Sequence, residues 1–385
     1  MQDVYLDHAA TSHPKPECVI KGVVNALEYE NANPGRSGHK RAIQASYRVM
    51  EARRAITELF CNEDEMEIVF THNCTDALNL AIKGTVKAGD HVIASKLEHN
   101  SVLRVLGEKA RRGEIEYTFI APKKNGYISP ADYLKAIRKN TSLMILTHAS
   151  NVTGAVQPVE AVGAIAGSFH IPYLIDGAQA AGEISIDIAR FKCDLYAFAG
   201  HKGLLGPQGT GGLYIKKGFR LDTLREGGTG SSSESIYQPE EVPERYEAGT
   251  MNLPGLMGLK EGAAYVMAHA DEIRRKIRLL TDALYEGLKN IKGVTVYTPD
   301  NPVCRTGVVS FNVNDLSSQE AASYLDEYGF CVRSGLHCAP LAHEFCGTGA
   351  RGMVRASVGW SNTMYEIDRF LERVYLLAKI QGPVH

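Results

Sequence analysis

The sequence predicts an α/β protein, with one large, mostly parallel sheet and a smaller carboxyl-terminal domain. Two observations carry this expectation. Short apolar runs, among them His91–Ser95, Ser142–Thr147, Ile171–Asp176 and Leu195–Ala199, alternate with segments of helical period. Two of these runs also stop at a charged group, Asp176 and then Lys202, where open α/β sheets place their ligands. A chain of 385 residues is long enough to bury a large core without disulfides.

Taken in order, Tyr5–Thr11 is a lead-in rich in small residues, and Asn31–Lys40 is a loop punctuated by glycine and proline. Residues 42–59 read as a helix and Glu67–Thr71 as a strand. Ala77, Leu78 and Ala81 then fall at helical spacing, so Cys74 and Thr75 open a helix. Free N–H groups there suit a phosphate, and a simple N-cap is the plain alternative. His99 follows the strand His91–Ser95. Asn151 lies in the loop after Ser142–Thr147, where it also fits an Asx-turn. Val159–Phe169 is an amphipathic helix returning to the Asp176 strand, with Gln179 just beyond.

Gly200, His201 and Lys202 end the Leu195–Ala199 strand. A lysine there needs a partner or a covalent role, and an aldehyde coenzyme such as pyridoxal phosphate offers one. Asp176 is the acid such a coenzyme wants beside its ring nitrogen. A helix N-cap and a surface charge are the plain alternatives for this pair. The glycine run at 206–212 leads into a strand, whereas a dinucleotide fingerprint opens a helix.

Residues 226–243 are poor in apolar side chains and are expected to be a mobile loop. Thr250 follows. Leu256 to about Leu288 reads as one helix, Gly307–Val313 as a strand, Ser318–Tyr328 as a helix and Phe330–Arg333 as a short strand. Cys338 then lies in a loop between Gly335 and Pro340, beside His337 and Arg333, which favour a thiolate. An inert thiol, or a metal site from His337, Cys338, His343 and Cys346, remains open on spacing alone. Arg355 suits a carboxylate, which a guanidinium grips with paired hydrogen bonds. Met364–Lys379 closes the chain as a helix.

The formal net charge of −2 argues against nucleic acid or an anionic membrane as partner. No apolar stretch reaches the length of a membrane span, and no signal peptide is seen, so a cytoplasmic enzyme is expected. The eight cysteines form no Cys-x-x-Cys pair.

Ala-Gly-His-Lys202-Gly, Gly206-Pro-Gln-Gly209-Thr-Gly and Asp176-Gly-Ala-Gln179 resemble the cofactor segments of class V, fold-type I pyridoxal-phosphate enzymes. Arg333-Ser-Gly-Leu-His-Cys338-Ala-Pro and Val354-Arg355 through Asn362-Thr363 resemble the cysteine desulfurase and selenocysteine lyase branch. The resemblance runs from Leu6 to Thr363. It implies a seven-stranded large domain at 16–260, a smaller α+β domain at 261–385 carrying the cysteine loop, and residues 1–15 packed near the active site. It implies pyridoxal 5′-phosphate joined to Lys202. Cys74 and Thr75, with His201, would hold the phosphate; His99 would stack on the ring and help move protons; Asp176 and Gln179 would meet the ring. Asn151 would contact the cofactor's phenolic oxygen or the substrate carboxylate, Arg355 would grip that carboxylate, and Thr250 would reach the cofactor phosphate of a partner subunit in a homodimer. The substrate would be L-cysteine or L-selenocysteine, with Cys338 as nucleophile and a sulfur- or selenium-acceptor protein downstream. No metal is implied. Another class V aminotransferase-type enzyme or a non-catalytic scaffold are the remaining readings. The chain departs from many relatives at Ala199, where they have serine, at Leu336 and Asn100, and in a longer Cys338–Arg355 segment.

Overall fold

The computed structural model describes residues 3–35, 38–61, 64, 67–301 and 304–380. Positions 36 and 37 of the Asn31–Lys40 loop therefore lie outside the described residues. The chain opens with β1 (Val4–Tyr5) and α1 (Glu17–Asn25), which widens into a π-helical turn at Ala26–Glu30. Next comes α2 (Lys40–Leu59), capped by His39, whose Nδ1 accepts the Ala42 N–H at 3.2 Å.

Strand–helix repeats then build the large sheet. They are β2 (Ile68–Thr71), α3 (Cys74–Thr85), β3 (Asp90–Ser95), α4 (Asn100–Arg111), β4 (Ile115–Ile120), α5 (Pro130–Ala136), β5 (Thr141–Thr147), α6 (Val159–Ser168), β6 (Tyr173–Asp176), α7 (Ile188–Phe191), β7 (Leu195–Ala199) and β8 (Gly211–Ile215). The strand order is β2-β8-β7-β6-β5-β3-β4. The sheet is parallel except at β8, which runs antiparallel to β2 and β7. Its central strands are largely apolar because both faces are covered, whereas the edge strand β4 exposes Glu116 and Tyr117. Along β5, Leu143 and Ile145 join the core under α3 and α4, while Met144 and Leu146 join the opposite core. The expected seven-stranded, mostly parallel sheet is present.

The expected single helix from 256 to 288 is two helices, α8 (Leu253–Ala268) and α9 (Ala270–Lys289), which meet at His269. They bury different faces in different places. Helix α8 packs against α1 and α2, with Leu256, Met257 and Leu259 in the large core. Helix α9 turns the stripe Ile273, Ile277, Leu280, Leu284 and Leu288 onto the second sheet. That sheet is antiparallel, with order β12-β10-β9, from β9 (Val294–Val296), β10 (Val308–Val313) and β12 (Val354–Ser357). Around it lie α10 (Ser318–Glu327), β11 (Phe330–Cys331), α11 (Pro340–Phe345) and α12 (Met364–Ile380). A Ser317–Glu320 capping box starts α10. Helix α11, which the sequence pattern does not announce, follows the cysteine loop and starts with Pro340 in its first turn. Strand β1 pairs in parallel with β11, so the first residues belong spatially to the last third of the chain. Among the described residues no helix is long and apolar enough to cross a membrane.

Candidate active site

The site lies where the strands of the large sheet end. Asp176 is the last residue of β6, pairs in register with Thr147 and Ala197, and is 3% exposed. Its Oδ1 accepts the Ala178 N–H at 3.0 Å and faces the Cys74 thiol at 3.7 Å. After β7 the chain turns at Gly200, where a Cβ would stand 2.1 Å from Thr210 Oγ1. That turn carries Lys202 into a cavity of about 210 Å³, lined among others by Cys74, Thr75, His99, Asn151, Asp176 and Gln179. Its ammonium nitrogen forms no hydrogen bond or ion pair with any described residue. Burial lowers the Lys202 pKa, with Arg355 and Arg333 adding to the effect and Cys74 and Asp176 opposing it.

Helix α3 begins at the cavity wall. Asn73 caps it by accepting the Asp76 N–H at 2.9 Å, and the helix leaves the Cys74 and Thr75 N–H groups without intrahelical partners. The helix end fits against β8 because Gly211 has no side chain; a Cβ there would lie 2.7 Å from the Asn73 backbone. The Cys74 thiol is buried against Asp176, which pushes its pKa well up, so the side chain is not an anion.

His99 caps α4, and its Nδ1 accepts the Ser101 N–H at 3.1 Å. Burial first, then Lys202, Arg333 and Arg104, pull its pKa down to about 4 against the opposing Asp176. His201 is likewise lowered to about 4 by burial. Its carbonyl accepts from the Ser12 N–H at 3.0 Å and from Lys15 Nζ at 2.9 Å. Gln179 donates to the Ala9 carbonyl at 2.9 Å. The lead-in segment is thereby fastened beside the cavity.

Arg355, on β12, is 1% exposed. Its Nη2 donates to Asp7 Oδ1 at 2.8 Å and its Nη1 to the Asn151 carbonyl at 3.1 Å, while Nε has no partner. The Asn151 side chain donates to the His337 carbonyl at 2.6 Å. Cys338 sits on the wall of a larger groove, about 710 Å³, that shares Thr75, His99 and Ser101 with the Lys202 cavity. Its carbonyl accepts the Asn100 N–H at 2.7 Å, and Arg333 Nη2 donates to its sulfur at 3.5 Å. His337 and Cys338 both have positive φ, 49° and 58°. The expected closeness of the His337 imidazole to the thiol is not found. That ring is 2% exposed and its nitrogens face His343 Nε2 at 3.2 Å and the Arg333 carbonyl at 3.3 Å. Burial, helped by Arg355, lowers its pKa to about 2. It satisfies a buried polar chain and offers the sulfur no charge.

Thr250 is exposed and does not line the Lys202 cavity of its own chain; it borders a separate hollow with Phe70, His72 and Gly209. The residues that sequence reasoning missed are Asp7, Glu98 and Ser101. Asp7 orients Arg355 across the fold. Glu98 is fully buried, accepts from Ser95 Oγ at 2.5 Å and from the Thr147 N–H at 2.8 Å, and has its pKa raised to about 8 by burial. Its position directly before His99 was the available signal.

A family model described as aminotransferase class-V matches residues 4–370. The chain belongs to this family. Aminotransferase class-V proteins depend on pyridoxal phosphate, and the residues present fit that group: an unpartnered amine, a buried acid, a flat imidazole and a free helix N-terminus surround one cavity. Within the family, the chain is 34% identical to a probable cysteine desulfurase of Methanothermobacter thermautotrophicus, over 95% of this chain and 92% of that one. It is 35% identical to a probable cysteine desulfurase of Pyrococcus abyssi, over 96% and 92%. Among solved structures, the apo cysteine desulfurase of Thermococcus onnurineus superposes with a TM-score of 0.91 at 33% identity, covering 98% of this chain and 95% of that chain.

Proposed function

We propose that this protein is a pyridoxal-phosphate-dependent cysteine desulfurase, which converts L-cysteine to L-alanine and takes the sulfur onto Cys338 as a persulfide. The observation that carries the reading is the unpartnered Lys202 amine in a cavity shared with Asp176, opening past His99 onto the groove that holds Cys338. The desulfurase names of the similar proteins support it.

When bound, pyridoxal 5′-phosphate supplies an aldehyde for the Lys202 amine and a ring that draws electrons from the substrate. The N–H groups of Cys74 and Thr75, with His201, hold its phosphate. Asp176 would keep a proton on the ring nitrogen, with Gln179 alongside, and His99 would lie against the ring. Arg355, steadied by Asp7, and Asn151 hold the substrate carboxylate. The Lys202 amine takes the substrate α-proton, and burial favours the neutral form that this requires. The Cys338 thiolate attacks the substrate sulfur. The S–S bond forms, the Cβ–S bond breaks, and its electron pair stays with the three-carbon fragment, which takes one proton at Cβ and regains one at Cα from Lys202 to become alanine.

A homodimer is part of the reading, with Thr250 serving the partner's site. Ile20, Leu27, Tyr29, Ile43 and Tyr47 are each 45% exposed or more on the neighbouring α1, π-turn and α2, as an interface requires. A cytoplasmic location and a thiol-bearing acceptor protein complete it. The division into domains is proposed at the His269 joint, since residue 260 lies inside α8.

Coenzyme-loaded protein given L-cysteine and a reductant is expected to release alanine and sulfide in equal amounts. Lys202→Ala abolishes both, and Cys338→Ala lowers sulfide release at least about 100-fold. Equal sulfide turnover by wild type and Cys338→Ala overturns the reading. Selenide release from L-selenocysteine that survives in Cys338→Ala, with no sulfide from cysteine in either protein, makes selenocysteine lyase the better one.

A further inference from the structure

We infer that Ser101 is a positioning residue that locks His99 as a hydrogen-bond donor toward the cavity and ties it to Thr75, so that His99 is not the proton acceptor of the reaction. The inference rests on the desulfurase reading for its consequence, but its structural content stands apart from it.

The argument follows the protons. The Ser101 N–H lies 3.1 Å from His99 Nδ1, and a backbone N–H can only donate. Nδ1 therefore carries no proton, and the neutral ring holds its hydrogen on Nε2. The Ser101 hydroxyl stands 2.9 Å from the same Nδ1 and must donate to it too. The Ser101 proton being committed, the 2.8 Å contact between Ser101 Oγ and Thr75 Oγ1 has Thr75 as donor. One direction of donation runs along the whole chain, Thr75 to Ser101 to His99. His99 Nε2 meets no described residue, and the ring lines both the cavity and the outer groove. It presents N–H there.

The ring stays neutral in this setting. The charged and titratable groups acting on it are Asp176 from β6, Lys202 beyond β7, Arg333 from the cysteine loop and Arg104 from its own helix, and all but Asp176 lower its affinity for a proton. Two donors on Nδ1 stabilise the neutral form further. A base needs a free lone pair toward the substrate, and the only lone pair of this ring is occupied on its far side. This departs from the expectation that His99 helps move protons.

The test uses ring-nitrogen NMR of histidine on coenzyme-free protein, together with steady-state kinetics on the loaded enzyme. Wild-type His99 is expected to be protonated at Nε2 and bare at Nδ1 through neutral pH. Ser101→Ala removes one donor from Nδ1, so His99 should titrate about one pH unit higher. Turnover should fall roughly 3- to 10-fold, with KM for cysteine little changed and a new acid limb in the kcat profile. Ser101→Thr should restore all three. A proton on Nδ1 at neutral pH, or a His99 titration that Ser101→Ala leaves unmoved, overturns the inference whether or not the protein releases sulfide. A wild type with the predicted tautomer but no desulfurase activity would instead count against the reading of the reaction alone.

Discussion

Arg355, the residue proposed to grip the substrate carboxylate, shows how packing readies a side chain for such a role. Its guanidinium is taken out of water and held by Asp7 and the Asn151 carbonyl, with Nε left over. A buried guanidinium held this way by Asp7 can give up the Asn151 carbonyl for a substrate carboxylate without moving. Arg355→Lys keeps the charge and loses the fork. The expected outcome is a KM for cysteine raised about 10- to 100-fold with a smaller change in kcat, read from initial rates. Glu98 makes a different residue-scale prediction. Its pKa rises to about 8, so the folded protein binds a proton that the unfolded chain releases above its ordinary value of 4.5. The group thus costs stability progressively as pH rises from that value to about 8. Glu98→Gln removes the cost. Relative to wild type it should gain on the order of 2 kcal/mol between pH 5 and pH 8, measured by urea unfolding at each pH.

At the scale of elements, the site depends on α3 and β8 approaching without a side chain between them. Gly211→Ala puts a methyl within 2.7 Å of the Asn73 backbone and pushes the helix end away. Coenzyme affinity should drop at least about tenfold, followed by absorbance as coenzyme-free protein is titrated, while the far-ultraviolet spectrum is kept. This is also where the sequence was readable. A buried strand betrays itself by an apolar run, and a charge at its end has few structural excuses, so Asp176 and Lys202 were visible together. The start of α3 was visible because three apolar residues fall at helical spacing. The long helix was misread because α8 and α9 are both helical in pattern, and only their packing partners differ. Helix α11 was hidden by the glycines around it. Ser101 and Glu98 escape a reading of the sequence because polarity alone does not reveal burial. Asp7 and Arg355 are 348 positions apart, and no local pattern links them.

For the whole molecule, charge and burial set the response to acid. Burial leads in lowering the pKa of His8, His99, His201 and His343 to about 4, His148 to about 3 and His337 to about 2. Each is neutral when folded and charges more readily when unfolded, so the unfolded chain binds more protons below the ordinary value of 6.5. Stability is therefore lost as pH falls from about 6.5 toward 4. Glu98 and Glu183, raised to about 8 and about 7, pull the other way but are fewer. The thermal midpoint at pH 5 should lie several degrees below that at pH 7. His148→Gln, which touches neither cavity nor groove, should narrow the gap. If the exposed Ile43 and Tyr47 face a second copy, Tyr47→Glu should yield monomers on sizing columns and lose turnover with them, since Thr250 would no longer reach a partner.

The pairing of β1 with β11, and of Asp7 with Arg355, has a further consequence for biosynthesis. The large sheet can close while the ribosome is still adding the last third, but Val4 and Asp7 must wait unpaired until Phe330 and Arg355 emerge. A nascent chain can therefore possess its lysine pocket well before it possesses the arginine proposed to hold an amino acid there.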